Sequence, residues 1–256
     1  MTLESVAPGP LFERCARLLR QGDRQASALL PRLEAFLDYA PGWVLLGEAL
    51  LAANQQQGAL IAFGRAATAD PGLPAALLGQ AAVLLTLGRP EEAARACMKA
   101  EPRAPGAKEI PYRLGLCLRA AGRTEAAQAA LARAATLDPG FAPAWFSLGL
   151  VRQDLHDGPG AIAAYRAALA ADPALHEAAF NLGIALQDGG ALEAALDAYA
   201  LALRSRPGSL GRIAHALTSS RTGCLWLSLD ALRDALIARR PTPGPELLAV
   251  DAGTRQ

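Results

Sequence analysis

Three histidines and four cysteines are the side chains here whose types support metal binding or nucleophilic catalysis near neutral pH. Two histidines that ligate a metal from one helix stand three or four residues apart. His156, His176 and His215 are instead separated by 20 and 39. Side-chain catalysis needs a nucleophile, a base and a group that orients the base, and three scattered imidazoles supply few bases. His156 stands beside Asp157 in a stretch that reads as a turn, where exposure explains it without chemistry. Cys15, Cys97, Cys117 and Cys224 contain no CxxC pair and no ligand spacing, so free thiols in a reducing compartment are expected. The glycines follow neither GxGxxG nor GxxxxGKS/T order, which removes a phosphate-cradling loop. These residues predict a protein that is not an enzyme and holds no metal or cofactor.

Charge narrows the partners further. A formal net charge of +1 gives no global field to attract nucleic acid or an anionic membrane. Glu4, Pro8 and Pro10 interrupt the apolar run that a signal peptide needs. The longest uncharged stretch, Pro71 to Gly88, contains Gly72, Pro74, Gly79 and Gln80, which argues against a membrane span. A soluble, cytoplasmic protein is expected.

What positions every one of these residues is a 34-residue step. Pro71, Pro105, Pro139, Pro173, Pro207 and Pro241 are all 34 apart, and they close units at 40–73, 74–107, 108–141, 142–175 and 176–209. Numbered within each unit, position 8 holds Gly47, Ala81, Gly115, Gly149 and Gly183, and position 20 holds Ala59, Ala93, Ala127, Ala161 and Ala195. Position 27 holds Ala66, Ala100, Ala134, Ala168 and Ala202. Large residues face them, with Phe63, Leu131, Tyr165 and Tyr199 at position 24 and leucines at positions 7 and 11. Glycine inside a helix costs about 1 kcal/mol relative to alanine, so close approach of two helix backbones is the expected compensation. Each unit therefore reads as a helix pair. The first helix ends near positions 14 to 16, where Gly88 and Gly122 supply left-handed backbone, and the second ends at the Asp-Pro of Asp70, Asp138 and Asp172. In this register Cys97 and Cys117 fall on buried faces.

The ends depart from the pattern. Residues 1–39 read as N-terminal capping helices, with Leu11, Phe12, Leu18 and Leu19 on one helix and Leu29, Leu30, Leu33, Phe36 and Leu37 on the next. A degenerate sixth unit, 210–240, replaces the small residues with Leu217, Leu229 and Leu236. It predicts a helix around Ile213 to Ser220, a turn at Thr222-Gly223 and a terminal capping helix with Leu225, Trp226, Leu229, Leu232 and Leu236 near one face. That apolar run is covered by the fifth unit, by its own helix pair or by a second copy, the last giving a homodimer through Leu225, Trp226 and Leu229. Residues 241–256 read as a proline-rich, disordered tail.

Trp43-Leu46-Gly47 and Trp145-Leu148-Gly149, followed in each unit by the small, aromatic, small and proline positions, closely resemble the tetratricopeptide repeat (TPR) pattern. The resemblance covers about two thirds of the chain. Departures stand at Leu77, Pro111 and Ala179 at position 4, Gln80 at position 7, Arg152 at position 11 and Cys97 at position 24. The resemblance implies an all-α solenoid, a right-handed superhelix whose concave groove is lined by the first helix of each unit at positions 2, 5, 6, 9, 12 and 13.

Placed on that groove, position 5 offers Val44, Leu78, Tyr112, Phe146 and Phe180, and position 9 offers Glu48, Ala82, Leu116, Leu150 and Ile184. Polar groups flank this stripe: Arg113, Ser147 and Asn181 at position 6, Arg119, Gln153 and Gln187 at position 12, and Asp154 and Asp188 at position 13. A peptide or protein segment with apolar anchors fits such a groove, its backbone held by the amides. Tyr112, Phe146, Leu150 and Phe180 are the candidate anchors, with Arg113, Arg119 and Asn181 as polar contacts. The competing use of the same aromatics is packing between neighbouring helices. Two groove chemistries of similar proteins do not carry over. The clamp for a chaperone's C-terminal carboxylates and the asparagine ladder of a glycosyltransferase arm are matched here only by Asn181. The expected function is a non-enzymatic scaffold. The alternatives are an accessory subunit of an enzyme acting in trans, such as a glycosyltransferase, and a factor that self-associates through its C-terminal helix.

Overall fold

The structure is a computed structural model that describes residues 8–23, 25–219 and 229–239. Every regular element among the described residues is helical. The chain divides into two compact units, Met1–Ala130 and Leu131–Gln256. The boundary falls within one helix, Thr124–Leu137, labelled α8 below.

Unit one opens with α1 (Pro8–Arg20) and α2 (Gln25–Leu33), joined at Gly22, whose φ of 69° reverses the chain. A 3-10 turn, Glu34–Phe36, leads to α3 (Ala40–Ala52) and α4 (Gln56–Ala69), then α5 (Pro74–Thr86), α6 (Pro90–Ala100) and α7 (Glu109–Ala120). These first helices are packed in. α1 lies on α2 and α3, and the buried Phe12 ring meets Trp43 edge-on at 5.2 Å. Trp43 Nε1 donates to the Phe36 carbonyl at 3.0 Å, which pins the 3-10 turn to the first repeat. Leu37, expected on the second helix, lies just after the 3-10 turn and is exposed.

Unit two contains α9 (Ala142–Asp154), α10 (Gly158–Ala171), α11 (His176–Asp188), α12 (Leu192–Ser205), α13 (Leu210–Ser219) and α14 (Leu229–Ala238). Consecutive helices from α9 to α12 pack on one another, and α14 packs on α12 and α13. Leu232 and Leu236 are buried under α14, whereas Leu229 is 56% exposed. Arg239 fastens the end of this helix by pairing with Glu193 and Asp197 on α12. Leu225, Trp226, the Thr222-Gly223 turn and the tail from residue 241 lie outside the described residues.

The five inter-helix turns share one device. Position 15 of each repeat has positive φ, at Asn54 (58°), Gly88 (70°), Gly122 (75°), His156 (60°) and Gly190 (80°). In each, the next amide reaches back five residues, as Arg89 N does to Leu84 O at 2.8 Å and Asp157 N to Arg152 O at 2.8 Å. This closes the helix with a left-handed residue and satisfies its last carbonyls. Arg152, the departure at position 11, bridges its turn by donating to Gly160 O at 2.9 Å. A side chain with Cβ carries a steric cost at positive φ. His156→Gly is therefore expected to raise the unfolding free energy by about 0.5–1 kcal/mol, measured by urea denaturation. A loss of stability would mean that the imidazole makes a contact of its own.

The second helices stop where proline forces extended backbone. Asp70 and Asp172 have φ of −135° and −140°, and their carboxylates accept from Gly72 N and Ala174 N, both at 3.0 Å. α6 stops early because Pro102 lacks the N–H to continue it, and Glu101–Arg103 tightens into a 3-10 turn.

The recurring glycine has a different cause from the expected backbone approach. A Cβ on Gly149 or Gly183 would lie closer than 3.0 Å to the ring of Tyr165 or Tyr199, and one on Gly47 would collide with Phe63. An aromatic side chain, not a second backbone, occupies the space. Phe63 also lies over Gly79, so one ring is held between position 8 of its own repeat and position 6 of the next.

Candidate protein-binding face

In unit one, Tyr112, Arg113 and Arg119 all project from α7 and are half-buried. The Arg113 guanidinium acts electrostatically on Cys97 and Cys117, and its buried Nε has no hydrogen-bond acceptor.

In unit two, Phe146 and Leu150 stand one turn apart on α9, and Phe180, Asn181 and Ile184 stand on α11. Phe146, Leu150 and Ile184 are half-buried and pack against the core to which Phe180 belongs. The Phe146 ring lies 6.0 Å from Tyr165, and the Phe180 ring 5.9 Å from Tyr199, both tilted. Each position-5 aromatic is thus braced by the position-24 tyrosine of its own repeat. Phe180 goes further inward and is only 7% exposed. The Arg212 guanidinium of α13 sits 4.3 Å from its centroid, a cation–π contact that covers the ring. Arg212 is a residue that the repeat pattern did not flag, because it comes from the degenerate sixth unit.

The position-12 amides expected beside the groove accept from tyrosines of their own repeats. Tyr165 Oη donates to Gln153 Oε1 at 2.9 Å and Tyr199 Oη to Gln187 Oε1 at 2.8 Å. Gln187 is buried, and its Nε2 donates to Ala216 O at 3.2 Å. Burial, with the nearby Asp188 charge, pushes the Tyr199 phenol above its ordinary range, which keeps it a donor. A signal for this stood in the sequence: position 12 is glutamine in the two repeats whose position 24 is tyrosine, against Leu51, Leu85 and Arg119 elsewhere. Asn181 differs from these amides. It is half-buried, and its side chain makes no hydrogen bond among the described residues.

No group of three or more His, Cys, Asp or Glu side chains among the described residues is arranged to hold a metal. No described helix is long and apolar enough to cross a membrane.

Residues 112–152 and 148–209 match the family model described as tetratricopeptide repeat. Among solved structures, the chain is 29% identical to TTC0263, a thermophilic TPR protein of Thermus thermophilus, over 70% of this chain and 98% of that one, with a TM-score of 0.56. It is 20% identical to PilW, a type IV pilus biogenesis factor, over 84% of this chain and 100% of that one, with a TM-score of 0.69. It is 22% identical to YrrB, a TPR protein with an unusual peptide-binding site, over 73% and 96%, with a TM-score of 0.59. No curated protein sequence matches the chain. Helix pairs at a 34-residue step, joined by left-handed turns, define an all-α tetratricopeptide solenoid. Residues 112–209 match the tetratricopeptide repeat family and the fold is the one seen in tetratricopeptide proteins, a fold that in general serves non-catalytic interaction scaffolds.

Proposed function

We propose that the protein is a non-enzymatic adaptor that binds a peptide or protein segment on the faces of its first helices, in the concave groove of the family. The observation that carries this reading is Asn181. Its half-buried side chain has no hydrogen-bond partner among the described residues and stands one turn from the half-buried Ile184 on α11, while the position-12 oxygens of Gln153 and Gln187 accept from tyrosines. A free amide next to apolar side chains suits a peptide whose backbone is hydrogen-bonded and whose side chains are buried. Tyr112, Arg113 and Arg119 on α7 supply the equivalent contacts in unit one. Phe180, shielded by Arg212, acts as the floor of the site, and a ligand reaches it by displacing that guanidinium. A cytoplasmic location belongs to this reading and is tested by fractionation of the source cells.

The test is affinity for a captured partner, with Tyr112→Ala/Phe146→Ala/Asn181→Ala beside wild type after circular dichroism shows both folded. Hot-spot truncations cost about 1–2 kcal/mol each or more, so the triple variant is expected to weaken binding at least ~100-fold. A partner held equally by both proteins would remove these helix faces from the site.

Self-association is the second reading, favoured by the exposure of Leu229 on α14. Leu225 and Trp226 belong to the same expectation. A dimer mass in solution that reverts to monomer in Leu229→Asp would support it.

A further inference from the structure

Position 26 carries a cation in the first three repeats, as Arg65, Lys99 and Arg133. In the first repeat that cation is answered from the preceding element, because Arg65 on α4 pairs with Glu34 at 2.9 Å. The residue 34 places after Glu34 is Thr68, whose hydroxyl donates to Gly64 O at 2.9 Å within α4. Lys99 on α6 therefore meets no acid where Arg65 meets one. Neither Lys99 nor Arg95, one turn earlier, lies within ion-pair distance of a carboxylate among the described residues, and both are exposed.

The two cations border a cleft of about 300 Å³ lined by α4, α5 and α6 of unit one. Leu60 on α4 and Leu77 and Leu84 on α5 give it apolar walls. The carboxylate in its lining, Glu92, is held by Arg89 through hydrogen bonds of 2.6 and 2.7 Å. Neither α4 nor α5 contains an acidic residue, so the charges of Arg95 and Lys99 stand uncompensated there.

Gln80 adds a polar group to the same lining. Position 7 is a buried leucine in the other four repeats, at Leu46, Leu114, Leu148 and Leu182. Gln80 is half-buried instead, and its side chain makes no hydrogen bond among the described residues. A Cβ built on Gly64 would lie 3.7 Å from its Nε2, so the amide extends towards α4. An amide partly withdrawn from water and left without a partner is suited to a ligand that hydrogen-bonds it. Leu77, Gln80 and Leu84 share one face of α5, turned by roughly a third of a turn or more from Leu78 and Ala82, the residues expected in the groove.

We propose that this cleft is a second interaction surface, one that takes an acidic peptide segment of a partner protein. Arg95 and Lys99 stand four residues apart on one helix face, about 5–6 Å between Cβ atoms, and alternate side chains of an extended chain are about 6.6 Å apart. Two acidic side chains separated by one apolar residue therefore reach both cations. Successive side chains of such a segment point in opposite directions, so the acids face α6 while the residue between them faces Leu60 on α4. The segment's backbone meets the Gln80 amide. A bare phosphate would use the cations and leave the amide and the leucines idle.

The test titrates a fluorescein-labelled, end-capped Glu-Leu-Glu-Leu-Glu peptide into the folded full chain and reads anisotropy, with Gln-Leu-Gln-Leu-Gln as the neutral counterpart and inorganic phosphate as competitor. Only the glutamate peptide is expected to bind, more weakly as salt is raised, and phosphate at the same concentration is expected not to displace it. Arg95→Gln/Lys99→Gln, shown folded by circular dichroism, is expected to weaken binding about tenfold through the loss of two partly solvated charge pairs. Gln80→Leu keeps both cations and is expected to weaken it several-fold. Tyr112→Ala/Phe146→Ala/Asn181→Ala is expected to bind this peptide as wild type does, which separates the cleft from the groove. Absence of binding by the glutamate peptide, equal binding of the glutamine peptide, wild-type affinity in the double variant, displacement by phosphate, or loss in the groove variant would each overturn the proposal.

Discussion

Tyr199→Ala is expected to lower the stability of the α11–α12 pair by about 3–5 kcal/mol, the range for deleting a buried aromatic. Tyr199→Phe is expected to cost about 1–2 kcal/mol, because the ring stays and only its hydroxyl leaves. Tyr199 is fully buried, its ring covers Gly183, and its hydroxyl begins a relay. Tyr199 Oη on α12 donates to Gln187 Oε1 on α11, and Gln187 Nε2 donates to Ala216 O on α13. Without the hydroxyl, the buried Gln187 oxygen has lost its donor, and a buried unpaired acceptor is penalised more than a missing bond in water. Contacts in repeat proteins run between neighbours, so the loss is expected first as faster amide exchange in α11, α12 and α13. Urea denaturation gives the totals. A phenylalanine variant as stable as wild type would show that the relay contributes nothing net.

Gly149→Ala is expected to destabilise by about 1–3 kcal/mol through overpacking. The sign is the informative part, because helix propensity alone predicts a gain of about 1 kcal/mol for the same change. The added methyl would lie closer than 3.0 Å to the Tyr165 ring, and that ring is fully buried with its hydroxyl held by Gln153, so it has little room to yield. Leucine stands at position 24 as Leu131, opposite Gly115 in the pattern. The double variant Gly149→Ala/Tyr165→Leu is therefore expected to be less destabilised than the two single changes added together, by about 1 kcal/mol of coupling. Stabilisation by Gly149→Ala alone would mean that no ring rests on that glycine.

These two positions also show where sequence reading stops. Small residues at positions 8, 20 and 27 and a large one at position 24 are legible as packing, yet the expected partner of the glycine is a backbone and the actual one is a ring. The amides of Gln153 and Gln187, expected as groove contacts, are tyrosine acceptors. Phe180, expected as an anchor, lies under Arg212. Each of these placements involves a side chain whose direction depends on its neighbours. A glutamine at position 12 reaches either outward or inward, and the choice turns on whether a hydroxyl waits inside. The cation over Phe180 comes from α13, which obeys no repeat consensus that would announce it.

By itself the sequence determined the helix pairs, their turns and their stops. Those depend on local chemistry that recurs every 34 residues: a left-handed residue at position 15, an aspartate before proline, and small faces at fixed offsets. Only the tertiary structure decided which polar groups are used up inside and which remain for a partner. That division depends on hydrogen bonds and ring contacts between helices 12 to 35 residues apart in the chain, where packing selects one rotamer from several that the sequence permits equally.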